Sequence, residues 1–234
     1  MTWRSVTDNG QAPVGAQTVA GVLVRLRHLV LTRELQPGEQ IRQEEMARYL
    51  GISRVPLREA LRVLTTEGLL THRPHQGYFV TKMSKEDFAQ ILGLLEFLEA
   101  ELLRTARWPT DEEVGELRAI NQELARAARD HDLPAVNRSN GDLHRQIFRL
   151  SPRTLFQAEW ERFWFLSEPY RFLHVATTDA GVALAQHDQL IDALAARDRA
   201  LALRIMAAHR GDTQAAALGA LAATDQPVGR LATS

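Results

Sequence analysis

Three histidines in the second half of this 234-residue chain have the residue type and spacing to bind a metal ion. His144, His187 and His209 each share a helical face with apolar residues, so we expect each imidazole to point inward. His187 lies 11 residues before Asp198 and His209 lies 11 residues after it. At the rise of an α-helix both are about 16 Å from a turn at Asp198, so their rings would lie at the same level of an antiparallel hairpin. The alternative is three separate buried histidines, each satisfied by its own hydrogen bonds.

An oxygen ligand could complete this set. Asn140 lies four residues before His144, which places both on one helical face. Three neutral imidazoles and one oxygen suit zinc, nickel, manganese or iron and leave room for a further ligand. The chain has no cysteine, so a thiolate site is excluded. A metal-dependent hydrolase is an alternative, but it needs a general base near the metal, and only Glu99 and Glu101 are candidates.

Three arginines form the second set of residues that could do chemistry. Arg54, Arg58 and Arg62 are four residues apart within ISRVPLREALRVLTTEGLL, residues 52–70. Residues at this spacing lie on one side of a helix. The planar guanidinium fork can pair with guanine O6 and N7 or with a phosphate, so the stripe predicts a nucleic-acid contact. The alternative is an ordinary solvated helix face.

The charge of the chain divides near residue 85. Residues 1–85 carry 12 Lys and Arg against 7 Asp and Glu, whereas residues 86–234 carry 16 against 22. A basic front and an acidic back predict separate roles, with a polyanion as the partner of the front. Chance scatter of charges is the alternative interpretation.

The front half contains the elements that would position the arginines. The apolar spacing predicts a helix from Val19, a short helix that stops at Gly51, and a third helix capped by Ser53 with Pro56 in its first turn. Two strand-like runs, LLTHR and GYFVTKM, flank a turn whose tip is His75-Gln76-Gly77 and predict a β-hairpin. Helices followed by a hairpin are the pattern of a winged helix-turn-helix, whose third helix enters the major groove. The candidate DNA-binding residues are Ser53, Arg54, Pro56, Arg58, Arg62, His75, Gln76 and Gly77.

The back half is helical in period throughout. Helices are predicted at about 88–106, 111–130, 133–150, 154–174, 180–196 and 199–217, with breaks between them. Six amphipathic helices joined by short links predict an antiparallel all-helical bundle. The fold class is therefore mostly α, with an N-terminal winged helix-turn-helix and a C-terminal bundle. The expected parts are a flexible arm (1–17), the DNA-binding domain (18–84), an effector-binding and dimerisation domain (85–220) and a frayed tail (221–234).

The front half resembles the DNA-binding domain of GntR-type bacterial transcription regulators over about residues 18–84. The motifs are Leu35-x-Pro37-Gly38, Gly51-x-Ser53-Arg54-x-Pro56-x-Arg58-Glu59-Ala60-Leu61, Glu67-Gly68-Leu69 and Gly77-x-x-Val80. The resemblance implies that Arg54 and Arg58 read DNA and that the wing around Gly77 touches the minor groove. Some members place a basic contact where Glu44 stands in this chain, so that contact is not carried over.

The back half resembles the FCD ligand-binding domain of the FadR branch of that family, over about residues 86–212. The segments NGDLHRQIF, AQHDQLIDALAARDRALA and MAAH carry the likeness. It implies a metal held by the three histidines beneath an effector carboxylate. The family often has Asp where Asn140 stands, and Leu95 stands where an arginine usually precedes Glu99. The candidate effector-pocket residues are Glu99, Trp164, Arg171 and His174.

Together these observations predict a dimeric, ligand-responsive transcription regulator, expected to be a repressor, that binds a palindromic double-stranded operator. The expected effector is a small carboxylate at a divalent-metal site; a metal-free pocket for a lipid-like ligand is the alternative. The first residues lack the apolar core of a signal peptide, and no run approaches the roughly 18 apolar residues of a membrane helix. We therefore expect a cytoplasmic protein with no membrane partner.

Overall fold

The computed structural model describes residues 18–175 and 180–224, apart from the side chains of 172–175, 220 and 222–224. The predicted arm 1–17 and residues 225–234 lie outside the described residues. The chain divides into two compact units, Met1–Met83 and Ser84–Ser234. Each unit has its own core and is described separately.

The first unit contains three helices and a small antiparallel sheet. The elements are α1 (Val19–Leu31), β1 (Gln40–Ile41), α2 (Gln43–Leu50), α3 (Arg54–Thr66), β2 (Leu70–Arg73) and β3 (Gly77–Val80). The sheet order is β1-β3-β2, and Arg73 pairs with Gly77 across the hairpin. This arrangement confirms the winged helix-turn-helix. The sequence did not predict β1, because a strand of two residues has no detectable period; its pairing of Gln40 with Phe79 fixes it.

The ends of α2 and α3 follow from local chemistry. Gly51 terminates α2 with φ +66, a left-handed conformation that glycine adopts without a steric penalty. Ser53 occupies the N-cap position of α3, as expected, but its side chain makes no capping hydrogen bond. Ser53 is exposed, so its hydroxyl is available to other partners.

The second unit is a bundle of long helices. They are α4 (Lys85–Thr105), α5 (Asp111–Arg129), α6 (Leu133–Phe148), α7 (Thr154–Val175), α8 (Ala180–Ala195) and α9 (Arg199–Thr224). Helix α4 packs against α7 and α9, and α5 packs against α6 and α8. Among the described residues, the core cluster consists largely of leucine, isoleucine and aromatic side chains and includes Trp160 and Trp164. The predicted helix bundle is confirmed.

One boundary of the second unit differs from the prediction. The last helix was expected at about 199–217, but α9 continues to Thr224 and Leu221 is buried. The stretch is rich in alanine, the strongest helix former, so it stays helical although its apolar face is weak. Most of the predicted frayed tail, 221–234, lies outside the described residues.

Side chains cap the helices of the bundle as their residue types predict. Ser84 Oγ accepts a hydrogen bond from the Asp87 N–H at 3.0 Å. Thr110 and Glu113 form a reciprocal capping box at the start of α5. Asp132 caps α6 in the same way by accepting from the Ala135 N–H. These caps fix where α4, α5 and α6 begin, and so fix which α6 residues face the core.

Candidate functional site

Helix α3 presents its charged face to solvent because its other face is fully buried. Leu57, Ala60, Leu61 and Leu64 each have no exposed surface. Arg54, Arg58 and Arg62 are exposed, as the arginine stripe predicts. The apolar stripe therefore sets the rotation of the helix and leaves all three guanidinium groups exposed to solvent.

The three arginines differ in what they contact. Arg54 forms an ion pair with Glu44 of α2, and Arg62 Nη1 lies 3.2 Å from Glu59 Oε1. Arg58 makes no ion pair with a carboxylate within the described ranges, 18–175 and 180–224. The Arg54–Glu44 pair could not be predicted from the sequence, because it joins residues ten apart on two helices. Both paired arginines are more than half exposed, so these pairs contribute little stability.

The tip of the hairpin has the backbone of a tight turn. His75 and Gly77 have positive φ angles of 60 and 91 degrees. The Gln40 amide donates to the carbonyl oxygen of Gln76 at 2.6 Å and so ties the tip to β1. His75 and Gln76 are exposed, and Gly77 is half-buried with no atom within 4 Å of where a Cβ would lie. The tip is therefore held in one shape and leaves its backbone open to close approach.

The three histidines lie together in the bundle. The ring centroids of His144 and His187 are 5.4 Å apart, those of His144 and His209 are 5.3 Å apart, and those of His187 and His209 are 4.7 Å apart. Each histidine offers one ring nitrogen, and these three nitrogens all lie within 4.8 Å of one another. All three rings are buried. Helices α6, α8 and α9 thus bring residues distant in sequence to one point, as the hairpin geometry predicts.

The electrostatics of this cluster favour neutral imidazoles at His144 and His187. Burial lowers the pKa of His144 well below its ordinary value, and the nearby His209 and His187 lower it further. Burial lowers the pKa of His187 to about 4. Neutral imidazole is the form that can donate a lone pair to a metal ion.

Several ring nitrogens of the cluster have no hydrogen-bond partner. Both nitrogens of His144 and Nε2 of His187 are buried without one. An unsatisfied buried polar atom costs about 1–3 kcal/mol, so three of them around one point need an explanation. A divalent metal bound by the three imidazoles would pair with Nε2 of His187 and with one nitrogen of His144, since a neutral imidazole offers a single lone pair. The donor set fits zinc, nickel, manganese or iron. Asn140 lies one turn before His144 on α6 and is half-buried; its role as a fourth ligand stays a prediction.

Of the predicted effector-pocket residues, Glu99 already binds two other side chains of the protein. It forms a buried ion pair with Arg210 of α9 and accepts a hydrogen bond from Trp160 Nε1 at 2.8 Å. Its carboxylate therefore holds α4, α7 and α9 together, and it is a poor candidate for a general base. Arg210 was not among the predicted site residues, although its place next to His209 on the buried face of α9 is a usable signal.

Trp164 and Arg171 form a second buried group beside the histidines. The Trp164 ring centroid is 5.1 Å from that of His144, and the Arg171 guanidinium carbon lies 3.6 Å from the Trp164 centroid. Arg171 donates to Ser167 Oγ at 3.0 Å and to the Trp164 carbonyl oxygen at 2.8 Å. Burial lowers the pKa of Arg171 to about 9, which still leaves it protonated at neutral pH. The side chain of His174 lies outside the described residues.

Comparison with known proteins assigns both units. The FCD domain family matches residues 90–212, and the bacterial regulatory proteins of the gntR family match residues 18–80. An uncharacterized HTH-type transcriptional regulator in the unstable DNA locus of Streptomyces ambofaciens is 33% identical over 192 residues, which is 80% of each chain. The chain therefore belongs to the GntR family of transcription regulators with an FCD domain.

Other relatives agree with this assignment. The probable D-xylose utilization operon transcriptional repressor of Paenarthrobacter nicotinovorans is 27% identical over 174 residues, covering 74% of this chain and 76% of that one. The solved structure of E. coli McbR/YncC has the same fold, with a TM-score of 0.70 at 22% identity over 86% of this chain and 97% of that one. The relatives are regulators, so the hydrolase alternative is excluded. No helix among the described residues is long and apolar enough to cross a membrane.

Proposed function

We propose that this GntR-family regulator is a homodimeric repressor that reads a palindromic operator through α3 and the hairpin tip. The proposal also places a divalent transition metal at His144, His187 and His209, with a small carboxylate as effector. The observation that carries the metal part is the group of partnerless buried ring nitrogens at the point where the three histidines meet. A DNA-binding role further implies that the protein works in the cytoplasm.

The DNA part is supported by the geometry of α3. Its exposed face carries three guanidinium groups, and that of Arg58 has no carboxylate partner among the described residues. Arginine pairs with guanine in the major groove, and each such bidentate contact contributes about 1–3 kcal/mol of discrimination. A dimer follows from the way such modules read two half-sites related by a two-fold axis. A relative of this chain bears the name of an operon repressor, which favours repression.

A gel-shift titration with the protein's own promoter region tests the DNA contact. We expect Arg54→Ala and Arg58→Ala to weaken binding at least tenfold at a fixed salt concentration. Arg126→Ala, which removes an exposed arginine from α5, should bind like the parent. Parent-like affinity of both α3 variants would show that DNA contacts another surface.

The metal part is tested by elemental analysis of the purified protein. The three imidazoles would hold the ion, and the bound metal would supply a Lewis-acid site for a carboxylate oxygen. We expect about one divalent ion per chain, lost in His187→Ala and His209→Ala and kept in His28→Ala, whose side chain is 55% exposed in the first unit. A metal-free parent with a cooperative thermal transition would refute this part and favour the metal-free pocket.

The carboxylate part depends on Arg171. Its buried cation has no ion pair with a carboxylate within 4 Å among the described residues, and it lies over Trp164, which contacts His144. Glu168 and Glu99 attract this cation without forming an ion pair with it. A small carboxylate entering beside the histidines could pair with it directly, whereas a lipid tail could not. A thermal-shift screen of organic and sugar acids should find a stabilising ligand. Arg171→Lys should lose most of that shift while keeping its metal, and stabilisation by fatty acids alone would contradict the proposal.

A further inference from the structure

Asn121 of α5 is a buried amide whose hydrogen bonds fix its own orientation. Its Nδ2 donates to Asp188 Oδ1 at 2.7 Å and to the Leu184 carbonyl oxygen at 3.3 Å. The Leu184 carbonyl oxygen can only accept a hydrogen bond, and so can the Asp188 carboxylate when it is ionised. The nitrogen of the Asn121 amide must therefore face both. The remaining atom, Oδ1, lies 3.1 Å from Nδ1 of His187. An amide oxygen can only accept, so His187 carries its proton on Nδ1 and its lone pair on Nε2.

Gln186 of α8 repeats this arrangement at His209. Its Nε2 donates to Asp212 Oδ2 at 2.8 Å, and its Oε1 lies 2.9 Å from Nδ1 of His209. By the same donor and acceptor rules, His209 is protonated on Nδ1 and presents Nε2 as its acceptor nitrogen. Two carboxylate–amide–imidazole chains therefore exist, one joining α5 to α8 and one joining α8 to α9. We call them the amide relays.

We propose that Asn121 and Gln186 are positioning residues for the metal, because the amide relays hold His187 and His209 in the tautomer that offers Nε2 to the ion. This inference rests on the proposed metal site. A metal-ligating histidine usually donates its other ring N–H to a carboxylate, carbonyl or water, which fixes the tautomer and the ring plane. Here an amide stands between imidazole and carboxylate, so the imidazole is oriented without a negative charge beside it.

His144 is not held in this way. Neither of its ring nitrogens has a hydrogen-bond partner. Its ring is confined by packing instead, with its centroid 5.1 Å from that of Trp164 and 5.9 Å from that of Phe148. The three ligands therefore divide into two that are oriented before the metal arrives and one whose tautomer the metal selects. Loss of a relay should cost affinity for metal in addition to any change in the stability of the metal-free bundle.

Metal affinity measured by competition with a chromogenic chelator, with Zn²⁺ and then Ni²⁺ as the probe, tests this inference. We expect Gln186→Met and Asn121→Leu to bind about 10–100-fold more weakly than the parent, the usual effect of losing such a partner. In the double variant Gln186→Glu with Asp212→Asn, residue 186 still offers an oxygen acceptor to Nδ1 of His209. The hydrogen bond between residues 186 and 212 is kept, with donor and acceptor exchanged. This double variant should recover affinity to within a few-fold of the parent.

Gln146→Met is the matched control. Gln146 Nε2 donates to Glu116 Oε2 at 2.9 Å, so this variant also breaks a glutamine–carboxylate bond between helices, but not one that reaches a histidine. The control should bind metal like the parent, and its metal-free thermal midpoint should match that of Gln186→Met. Parent-like affinity of Gln186→Met, with metal bound by the parent, would overturn the relay and leave the metal site intact. A parent that binds no metal would overturn both.

Discussion

At the scale of single residues, Glu44 is an acidic side chain on a surface that is expected to bind the negatively charged DNA. It stands in the first turn of α2 and pairs with Arg54, one of the arginines expected to read DNA. A carboxylate beside a phosphate backbone is repulsive, but one that orients an arginine makes its contact with a base more selective. If Arg54 reads DNA as proposed, Glu44 would weaken the general attraction to DNA and hold Arg54 in one orientation.

Glu44→Gln should accordingly strengthen binding to non-operator DNA. Removing one negative charge near the phosphates should raise this affinity several-fold and steepen the dependence of log affinity on log salt by about one unit. Fluorescence anisotropy with a random duplex at several salt concentrations measures both quantities. Glu112→Gln on α5 removes the same charge from the other unit and should change neither. An unchanged salt slope in Glu44→Gln would place Glu44 away from the phosphates.

At the scale of elements, the close approach of α6 and α7 depends on Gly141, which has no side chain. A Cβ at Gly141 would come within 3.2 Å of Trp164 Nε1. Trp164 is buried and contacts His144, so it cannot move freely. The glycine thus sets the distance between the helix that carries one predicted ligand and the helix that carries Arg171.

Gly141→Ala should destabilise the protein by about 1–3 kcal/mol, because overpacking a buried contact outweighs the helix propensity gained. Gly115→Ala on α5 is the control, since nothing lies within 4 Å of a Cβ there. That variant should gain up to about 1 kcal/mol from helix propensity alone. Urea denaturation measures both changes. Equal stabilisation of the two variants would show that α6 and α7 have room to separate.

The elements that the sequence predicted well are those with long periodic patterns. The six bundle helices and the α3 stripe follow from apolar residues three and four apart, and the meeting of His187 and His209 follows from equal distances to one turn. Side-chain partners between distant elements could not be predicted, because no local pattern links Arg54 to Glu44 or Glu99 to Arg210. Asn121 left a weak signal, as a polar residue on the buried stripe of α5.

At the scale of the whole molecule, the second unit carries an exposed apolar surface that suits a second copy of the chain. Leu94 and Phe97 of α4 are 44% and 57% exposed, and Leu155 of α7 is 81% exposed. The rings of Phe97 and Phe156 lie 6.2 Å apart, so the two helices contribute to one surface. Arg153 lies over Phe156 and is 3.9 Å from Glu101, so charges of both signs lie beside this surface. Such a patch can be complementary to itself in a two-fold interface.

Phe97→Glu should therefore convert a dimer to a monomer. Burying a charge without a partner in an apolar interface is strongly unfavourable, so dimer affinity should fall more than tenfold. Light scattering coupled to size exclusion gives the mass, and the same variant should lose affinity for a two-half-site operator while keeping its fold. Val182→Glu, at another exposed apolar position on α8, should remain dimeric. A parent that is monomeric at micromolar concentration would refute this surface as the interface.

The three histidines lie on three different helices, α6, α8 and α9, so an ion bound to them would affect how easily the bundle opens. An ion held there would act as a cross-link, fastening three separate helices at one point in the way that a disulfide fastens two. Opening the bundle would then require breaking coordination bonds, so the loaded protein should resist proteases far longer than the stripped one. Removing the ion with a chelator would therefore make the protein sensitive to proteases without any change in its sequence.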